Sequence, residues 1–565
     1  MYLRKTERRN RDGSTVAYYA LAENGWNPET GRSEARVIHS FGRADQLGTA
    51  ALRRLVASIN RVLEVGDGAA AEASLGEIEI DAVFDLGVVL AARGLWEELG
   101  IGPAVRSCLA RAGLAAPHAA ALFAMAAQRL DAPGSKLACA ARWLPEVAWL
   151  PEANGLAVDQ LYRALDVLAI WSEEIERDVF LRAADLFRLD VDLIFYDTTT
   201  AYFEIDEPDE GPEPWGGKLY APLRQRGHSK EGRDGQPQVV IALAVTRDGM
   251  PVRSWVLPGN TADVTTVARI KADLHAWRLG RCVFVGDAGL YSAENLLELG
   301  RGLGRYVLAV PMRRVRDVEA EVLARPGRYR QVRDNLQVKE VWVGEGERRK
   351  RYVLCLNPEE AARQRQRRAQ VLAELEAELA LLAAREEGHP KAACALLASR
   401  RYGRFLGTDA RGRPRLDPAK VKAAERFDGK FVVITNDDTL SAEDVALGYK
   451  GAWIIEACFR RMKQTGLEVR PMFHWAARRI EAHVKLCVLA LQMQRAAELR
   501  TGLPWARVAQ ALSGLKAVRY RSEGRTIVQR TKVGPELAAL LKRLGLSTPK
   551  RVMAITEGAA APDAA

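Results

Sequence analysis

Cysteine is scarce in this chain and follows no pattern: seven residues, at 108, 139, 282, 355, 394, 458 and 487, with no C-x-x-C pair. That spacing excludes a disulfide framework, fits a reducing compartment and argues against a zinc site. Long hydrophobic runs are also missing, because Arg93, Glu97 and Glu98 interrupt the best 18-residue candidate. The N-terminus carries charge but no apolar core of a signal peptide. The expectation is a soluble, unexported cytoplasmic protein with no membrane partner. What the chain has in surplus is positive charge, +11 over 565 residues. A basic balance favours a polyanionic partner such as nucleic acid. At roughly 100–200 residues per domain, this length implies three or four domains.

Two stretches organise the chain. Leu193-Ile194-Phe195-Tyr196-Asp197-Thr198-Thr199-Thr200 is an apolar, β-branched run that suddenly carries a carboxylate. Cys282-Val283-Phe284-Val285-Gly286-Asp287 repeats the design. Both read as buried strands ending on an acid at one edge of a sheet. Like charges a few ångströms apart disfavour each other, so the pairing suits a divalent cation better than it suits stability.

Around these strands the chain divides by composition. Residues 1–64 read as a basic β-hairpin about Asp12-Gly13, with Lys5, Arg8, Arg9 and Arg11 at its turn, followed by a short helix over 46–64. Gly66 to Glu77 reads as a linker. Residues 78–188 show helical periodicity, broken at Gly102-Pro103, Ala116-Pro117 and 131–134, and form a helical domain expected to contact DNA. Residues 189–310 hold both acid-bearing strands, a strand pair flanking Asp248-Gly249, and a helix after Gly259-Asn260-Thr261. Residues 311–429 read as an inserted α+β domain whose long helix, 357–387, opens on Asn357-Pro358-Glu359-Glu360. Its stripe Leu372, Leu375, Leu379 and Leu382 is a packing or coiled-coil seam. Residues 430–500 resume the strand-helix pattern, 501–556 form an α/β segment, and 557–565 an Ala-rich disordered tail.

Tyr449, Glu456 and Lys463 are spaced by seven, which lays them along one stripe of a single helix, with Arg460 beside them. Ile454, Ile455, Cys458 and Phe459 would draw that helix against the sheet and partly enclose Glu456. Arg226 and Lys230, in the basic loop Arg224-Gln225-Arg226-Gly227-His228-Ser229-Lys230, suit phosphate oxygens. His228, His474 and His483 have no zinc spacing and read as structural histidines, His228 lying within that phosphate-facing loop. Thr198 is placed to hydrogen-bond a ligand carboxylate.

Taken together, the Tyr196-Asp197-Thr198-Thr199 strand, Gly227-His228-Ser229-Lys230, Pro258-Gly259-Asn260, Gly286-Asp287-Ala288-Gly289 and the Glu456 helix resemble the DDE transposases of bacterial insertion sequences. The branch is the insertion-sequence-four superfamily with its Tyr-x2-Arg-x3-Glu-x6-Lys signature, matched at Tyr449, Glu456 and Lys463. Its arginine position is Ala452 here, and Lys450, Arg460 and Arg461 are candidates to replace the guanidinium. Leu467 to Pro471, His474, Arg479-Ile480 and His483 resemble the sixteen-thirty-four group of that superfamily.

The resemblance implies an α/β ribonuclease-H-like core, a mixed sheet with helices, interrupted by the inserted domain and preceded by the β-ribbon and helical domain. It also implies that Asp197, Asp287 and Glu456 are catalytic ligands of two Mg²⁺ or Mn²⁺ ions. One ion would activate water against the element's end, and the resulting 3′-hydroxyl would attack the opposite strand or target DNA. Tyr449, Lys463, Arg460, Lys230, Arg226 and His228 are the expected DNA-binding residues, and Trp342 a candidate aromatic wedge. Expected partners are double-stranded DNA, as terminal inverted repeats and target, and a second subunit in a synaptic homodimer, nucleoid-associated when bound. Two other readings stay open: a catalytically inactive, transposase-derived DNA-binding protein, suggested by Ala452, and a metal-free carboxylate-pair hydrolase such as a glycosidase.

Overall fold

The computed structural model describes the chain apart from residues 1, 10–14, 28–30, 45–53, 57, 60–77, 115–116, 347–348, 385–389, 465, 523–524 and 558–565. Two compact units are present, one of Met1–Ala82, Val518–Gln529 and Val552–Ala565, the other of Val83–Ala517 and Arg530–Arg551. The hairpin dipeptide Asp12-Gly13, Arg11, the linker 66–77, most of the helix expected over 46–64 and the tail beyond 557 lie outside the described residues.

In the first unit, Tyr2–Arg9, Thr15–Asn27 and Arg32–Arg43 form an antiparallel sheet with the second strand in the middle. Tyr2 stands opposite Ala22 and Arg9 opposite Thr15, so the first two strands close as a hairpin. Among the described residues of these strands only Ala20 and Ala22 are buried, and Lys5, Arg8 and Arg9 are exposed. This ribbon has almost no core of its own.

The second unit begins with helices. Gly87–Glu98 and Ile101–Arg111 are separated at Gly100, whose left-handed φ of 76° ends the first helix. Pro103 falls in the first turn of the next, where a missing N–H costs nothing. His118–Asp131 and the 30-residue helix Val158–Phe187 come next in the chain, and both pack against Ala477–Thr501. That last helix is buried over nearly its full length because it also lies on strand Pro251–Pro258.

A nine-stranded sheet forms the centre, ordered 330–333, 336–343, 350–356, 430–435, 305–310, 283–286, 193–202, 238–246, 251–258. Strand Val283–Gly286 runs parallel to both its neighbours, and every other pairing is antiparallel. The apolar runs that marked these strands in the sequence are buried, and residues 238–246 are buried throughout. The expected helix after Asn260 is present as Val267–Ala276, with Val267, Ile270 and Leu274 inward.

The segment expected as an inserted domain is in part a continuation of this sheet. Strands 336–343 and 350–356 join it through 430–435, which pairs Thr435 with Val307 on one side and with Arg351 on the other. Only the stretch from Pro358 to Phe427 stands on a separate small core. The helix Pro358–Ala383, capped by Asn357 Oδ1 accepting from Glu360 N at 3.1 Å, buries Val371 and Leu375 against Phe405 and Leu406. Leu372 and Leu379 pack on the same cluster, so this part of the leucine stripe is an internal seam.

Candidate catalytic site

The parallel pairing of 193–202 with 283–286 sets Tyr196 beside Gly286, so Asp197 and Asp287 come as the next residue on each strand. Asp287 leaves the sheet at once. It caps the short turn Ala288–Leu290, accepting from Gly289 N at 2.9 Å, and is exposed. Asp197 stays in its strand and accepts from Thr198 N at 2.7 Å, with only 24% of its side chain exposed. Burial raises the Asp197 carboxyl to about 6; Lys230 opposes the shift and Asp287 adds to it.

Lys230 reaches this edge from the basic loop. Its Nζ lies 3.6 Å from Asp197 Oδ1 and 3.0 Å from Asp263 Oδ2, and donates to the Thr198 carbonyl and hydroxyl at 2.7 Å each. Burial works against the ammonium, yet the Asp197 and Asp263 carboxylates outweigh it and raise the Lys230 pKa above its ordinary value. Thr198 Oγ1 in turn donates to Asp263 Oδ1. The Thr198 hydroxyl therefore bonds the carboxylate of Asp263, while its backbone N–H bonds that of its neighbour Asp197.

The loop can approach so closely because of two glycines. A Cβ on Gly259 would lie 2.0 Å from the Gln238 carbonyl oxygen, and one on Gly227 would lie 2.2 Å from the Gly259 oxygen. Both distances are impossible for a real side chain, so the motif glycines serve the crossing of two backbones.

Glu456, the third expected acid, lies on a helix that packs on strands 193–202 and 238–246. Tyr449 and Glu456 do not share a helix: Ala442–Lys450 and Trp453–Lys463 are separate, joined through Gly451 and Ala452. The expected single helix is corrected here, and the cause is steric. The joint passes Phe195, whose Cζ would lie 2.9 Å from a Cβ on Gly451. A seven-residue spacing keeps helical phase across such a joint, which is why the sequence pattern conceals it. Glu456 is exposed, not partly enclosed as expected, because Ile455, Cys458, Phe459 and Met462 take the inward face of its helix.

Tyr449 is a partly enclosed tyrosine on the helix before Glu456. Burial pushes its hydroxyl up to about 12, and the charges of Asp287, Glu456 and Asp197 add to the shift. Its ring packs on Phe431 with centroids 5.6 Å apart. Lys463 is held by the Thr200 carbonyl at 2.5 Å and by Glu231 Oε1 at 2.7 Å, and Glu231 also pairs with Arg470.

Other expected site residues are dispersed. Arg226 is exposed and donates to the Asp206 carbonyl; His228 is exposed, with Nδ1 3.6 Å from Asp234 Oδ1. Arg460 is exposed on the Glu456 helix. Of the candidates to replace the signature arginine, Arg461 is turned to Glu498 at 2.8 Å. Trp342 lies under the Arg349 guanidinium, 3.9 Å from its ring centre, on strand 336–343. His474 and His483 are buried, and burial lowers the His474 pKa to about 3.

Sequence reasoning passed over Asp263, Glu231 and the exposed Trp453. Asp263 lies three residues past the quoted Pro258-Gly259-Asn260, and Glu231 directly follows Lys230, so adjacency to those motifs was the available signal.

Among the described residues no group of three or more His, Cys, Asp or Glu side chains stands as a ready metal cage. The donor chemistry nevertheless fits a hard divalent cation. Carboxylate, hydroxyl and carbonyl oxygens of Asp197, Asp263 and Thr198 already surround one positive charge, the Lys230 ammonium.

The Transposase DDE domain matches residues 210–491, which hold most of the central mixed sheet. That match takes in Asp287 and Glu456 and begins after Asp197. Residues 3–70 match the IS1634 family transposase, N-terminal domain. The chain belongs to the DDE transposases of the IS1634 family. Among curated proteins there is no match. A solved structure titled as a piggyBac transposase synaptic complex with hairpin DNA aligns at 7% identity over 76% of this chain and 79% of that one. Its TM-score of 0.34 is too low to carry an argument. Among the described residues no helix is long and apolar enough to cross a membrane.

Proposed function

We propose that this transposase binds the terminal inverted repeats of its element and catalyses divalent-metal-dependent DNA cleavage and strand transfer on a ribonuclease-H-like core. The observation that carries the reading is the parallel register that makes Asp197 and Asp287 neighbours, with the Glu456 helix packed on the Asp197 strand. The core assignment is supported by the five-strand run 251–258, 238–246, 193–202, 283–286, 305–310, an antiparallel meander extended by two parallel strands.

Asp197, Asp287 and Glu456 would hold Mg²⁺ or Mn²⁺. When bound, such ions stabilise charge on the attacking and leaving oxygens of an in-line displacement. The chain's own residues do the rest. Lys463 and Arg470, aligned by Glu231 beside the Asp197 strand, are placed to take phosphate oxygens. Lys230 supplies a further cation at the acids themselves. Water cuts the strand at the element's end, and the freed 3′-hydroxyl then attacks DNA without a covalent protein intermediate. Two ends brought together imply a homodimer on DNA.

The test is cleavage of a labelled duplex carrying the element's own terminal repeat, with Mg²⁺ or Mn²⁺, by the intact protein and by Asp287→Ala. Nicking at the repeat boundary, abolished by the substitution while binding persists, is expected. Binding without cleavage in either protein would favour the inactive DNA-binding reading and direct attention to Ala452.

A further inference from the structure

Beyond the Asp197 edge lies a cavity of about 700 Å³ that shares Lys463 and Arg470 with the proposed phosphate contacts and whose aromatic lining the cleavage chemistry does not use. One wall is Tyr202, which ends the Asp197 strand, with Phe203 after it; the other is the segment 470–475. In that segment residues alternate: Met472 and His474 are buried, whereas Phe473 is 65% and Trp475 71% exposed. The alternation leaves both aromatics, two residues apart, open to solvent at the cavity.

Three cations line the cavity, each paired with a carboxylate behind it: Arg224 with Asp209, and Lys463 and Arg470 with Glu231. Arg224 lies over the Trp475 ring, 4.8 Å from its centre, and Arg470 lies over Tyr202 at 4.9 Å. Lys463 lines the cavity as well, and Glu204 is the one acid among its lining residues. With those charges neutralised the rings set the ligand: aromatic faces with guanidinium planes stacked on them match the flat base of a nucleotide. Paired bases in a duplex expose only their edges, so flat aromatic faces call for a base outside the stack.

Position favours the same occupant. Lys463 bonds the carbonyl of Thr200, three residues past Asp197, and Tyr202 is five residues past it. At about 3.3 Å per residue the cavity spans roughly 10–17 Å from the acids. That is about three to five steps of a DNA strand at its duplex spacing of roughly 3.4 Å.

We infer that Phe473 and Trp475, with Arg224 and Arg470, form a stacking site for unpaired bases of the DNA strand that leaves the catalytic acids. This rests on the DNA-processing function proposed above. The test uses the full-length protein, Ca²⁺ in place of Mg²⁺, and two fluorescent probes. One is a blunt duplex carrying the terminal repeat; the other is the same duplex with five unpaired thymidines at the element's end.

The intact protein is expected to bind the extended probe about tenfold more tightly, within the range of alanine effects on stacked bases. Phe473→Ala/Trp475→Ala should lose that preference and keep its affinity for the blunt duplex, while Trp475→Phe retains most of it. Equal binding of both probes by the intact protein overturns the inference, as does an unchanged preference in the double variant. So does a double variant whose DNA-free sedimentation shows a lost dimer, since the aromatics would then meet a second copy. If blunt duplex is bound and cut without any preference, only the stacking site falls. If neither probe is bound, the proposed function falls with it.

Discussion

Two acid–lysine clusters in the larger unit are built from the same residue types and end in opposite states. Behind the sheet, Glu176 on helix Val158–Phe187 pairs with Lys485 at 2.6 Å, and both are almost wholly buried. Lys485 also donates to the Ser254 carbonyl at 2.6 Å and Ser254 Oγ donates to Glu176, so each charge is satisfied from more than one direction. At the sheet edge Lys230 faces Asp197 and Asp263, with Asp287 nearby and exposed. One cation there serves an excess of carboxylates. The closed cluster is a structural joint between helix and strand; the open one has negative charge left over for something brought from outside.

The sharpest way to break this comparison is to remove charge from each cluster in turn. Asp197→Asn should lower cleavage by about 10³-fold or more, the scale on which transition-state electrostatics are lost, in the labelled-duplex assay. Glu176→Ala should instead destabilise the protein by about 3–5 kcal/mol, because it leaves the Lys485 ammonium buried without its partner. Denaturant unfolding reads that change, and replacing both residues with apolar ones of similar size should restore most of it.

Smaller effects sharpen it further. A carboxyl whose folded pKa is about 6 stands above its unfolded value near 3.8, so its contribution to stability is full below pH 4 and is lost as pH rises through 6. Asp197→Asn should therefore stabilise the metal-free protein at pH 8 by up to about 3 kcal/mol, read as a raised Tm with chelator present. Binding of Mn²⁺, which needs the carboxylate, should weaken below pH 6 in the unsubstituted protein, measured by calorimetry. Last, Glu231→Gln removes the carboxylate shared by Lys463 and Arg470. The dependence of log affinity on log salt for DNA should steepen by about 1.

Asp197 and Asp287 stood out in the sequence because each follows an apolar climb, although only Asp287 comes at a strand's end and Asp197 lies within strand 193–202. Glu456 was legible through its spacing from Tyr449 and Lys463, though that spacing suggested one helix where Gly451 and Ala452 separate two. Asp263 and Glu231 were not. Their one local signal was adjacency to the quoted motifs, and both follow the loops that cross at Gly227 and Gly259. The alternation at 472–475 was present in the sequence but indistinguishable from ordinary loop composition until strand 193–202 supplied the opposite wall.

The sequence by itself determined which segments become strands and helices, the excess of positive charge, and the identity of the acids, since these depend on periodicity, capping and local composition. Only the tertiary structure decided that strands 336–356 extend the central sheet, that Lys230 rather than Arg226 or His228 enters the acidic edge, and that Glu231 aligns Lys463 with Arg470. The reason is that these outcomes depend on contacts between residues tens to hundreds of positions apart. Strand register and close backbone crossings settle such contacts, and no window of local sequence contains them.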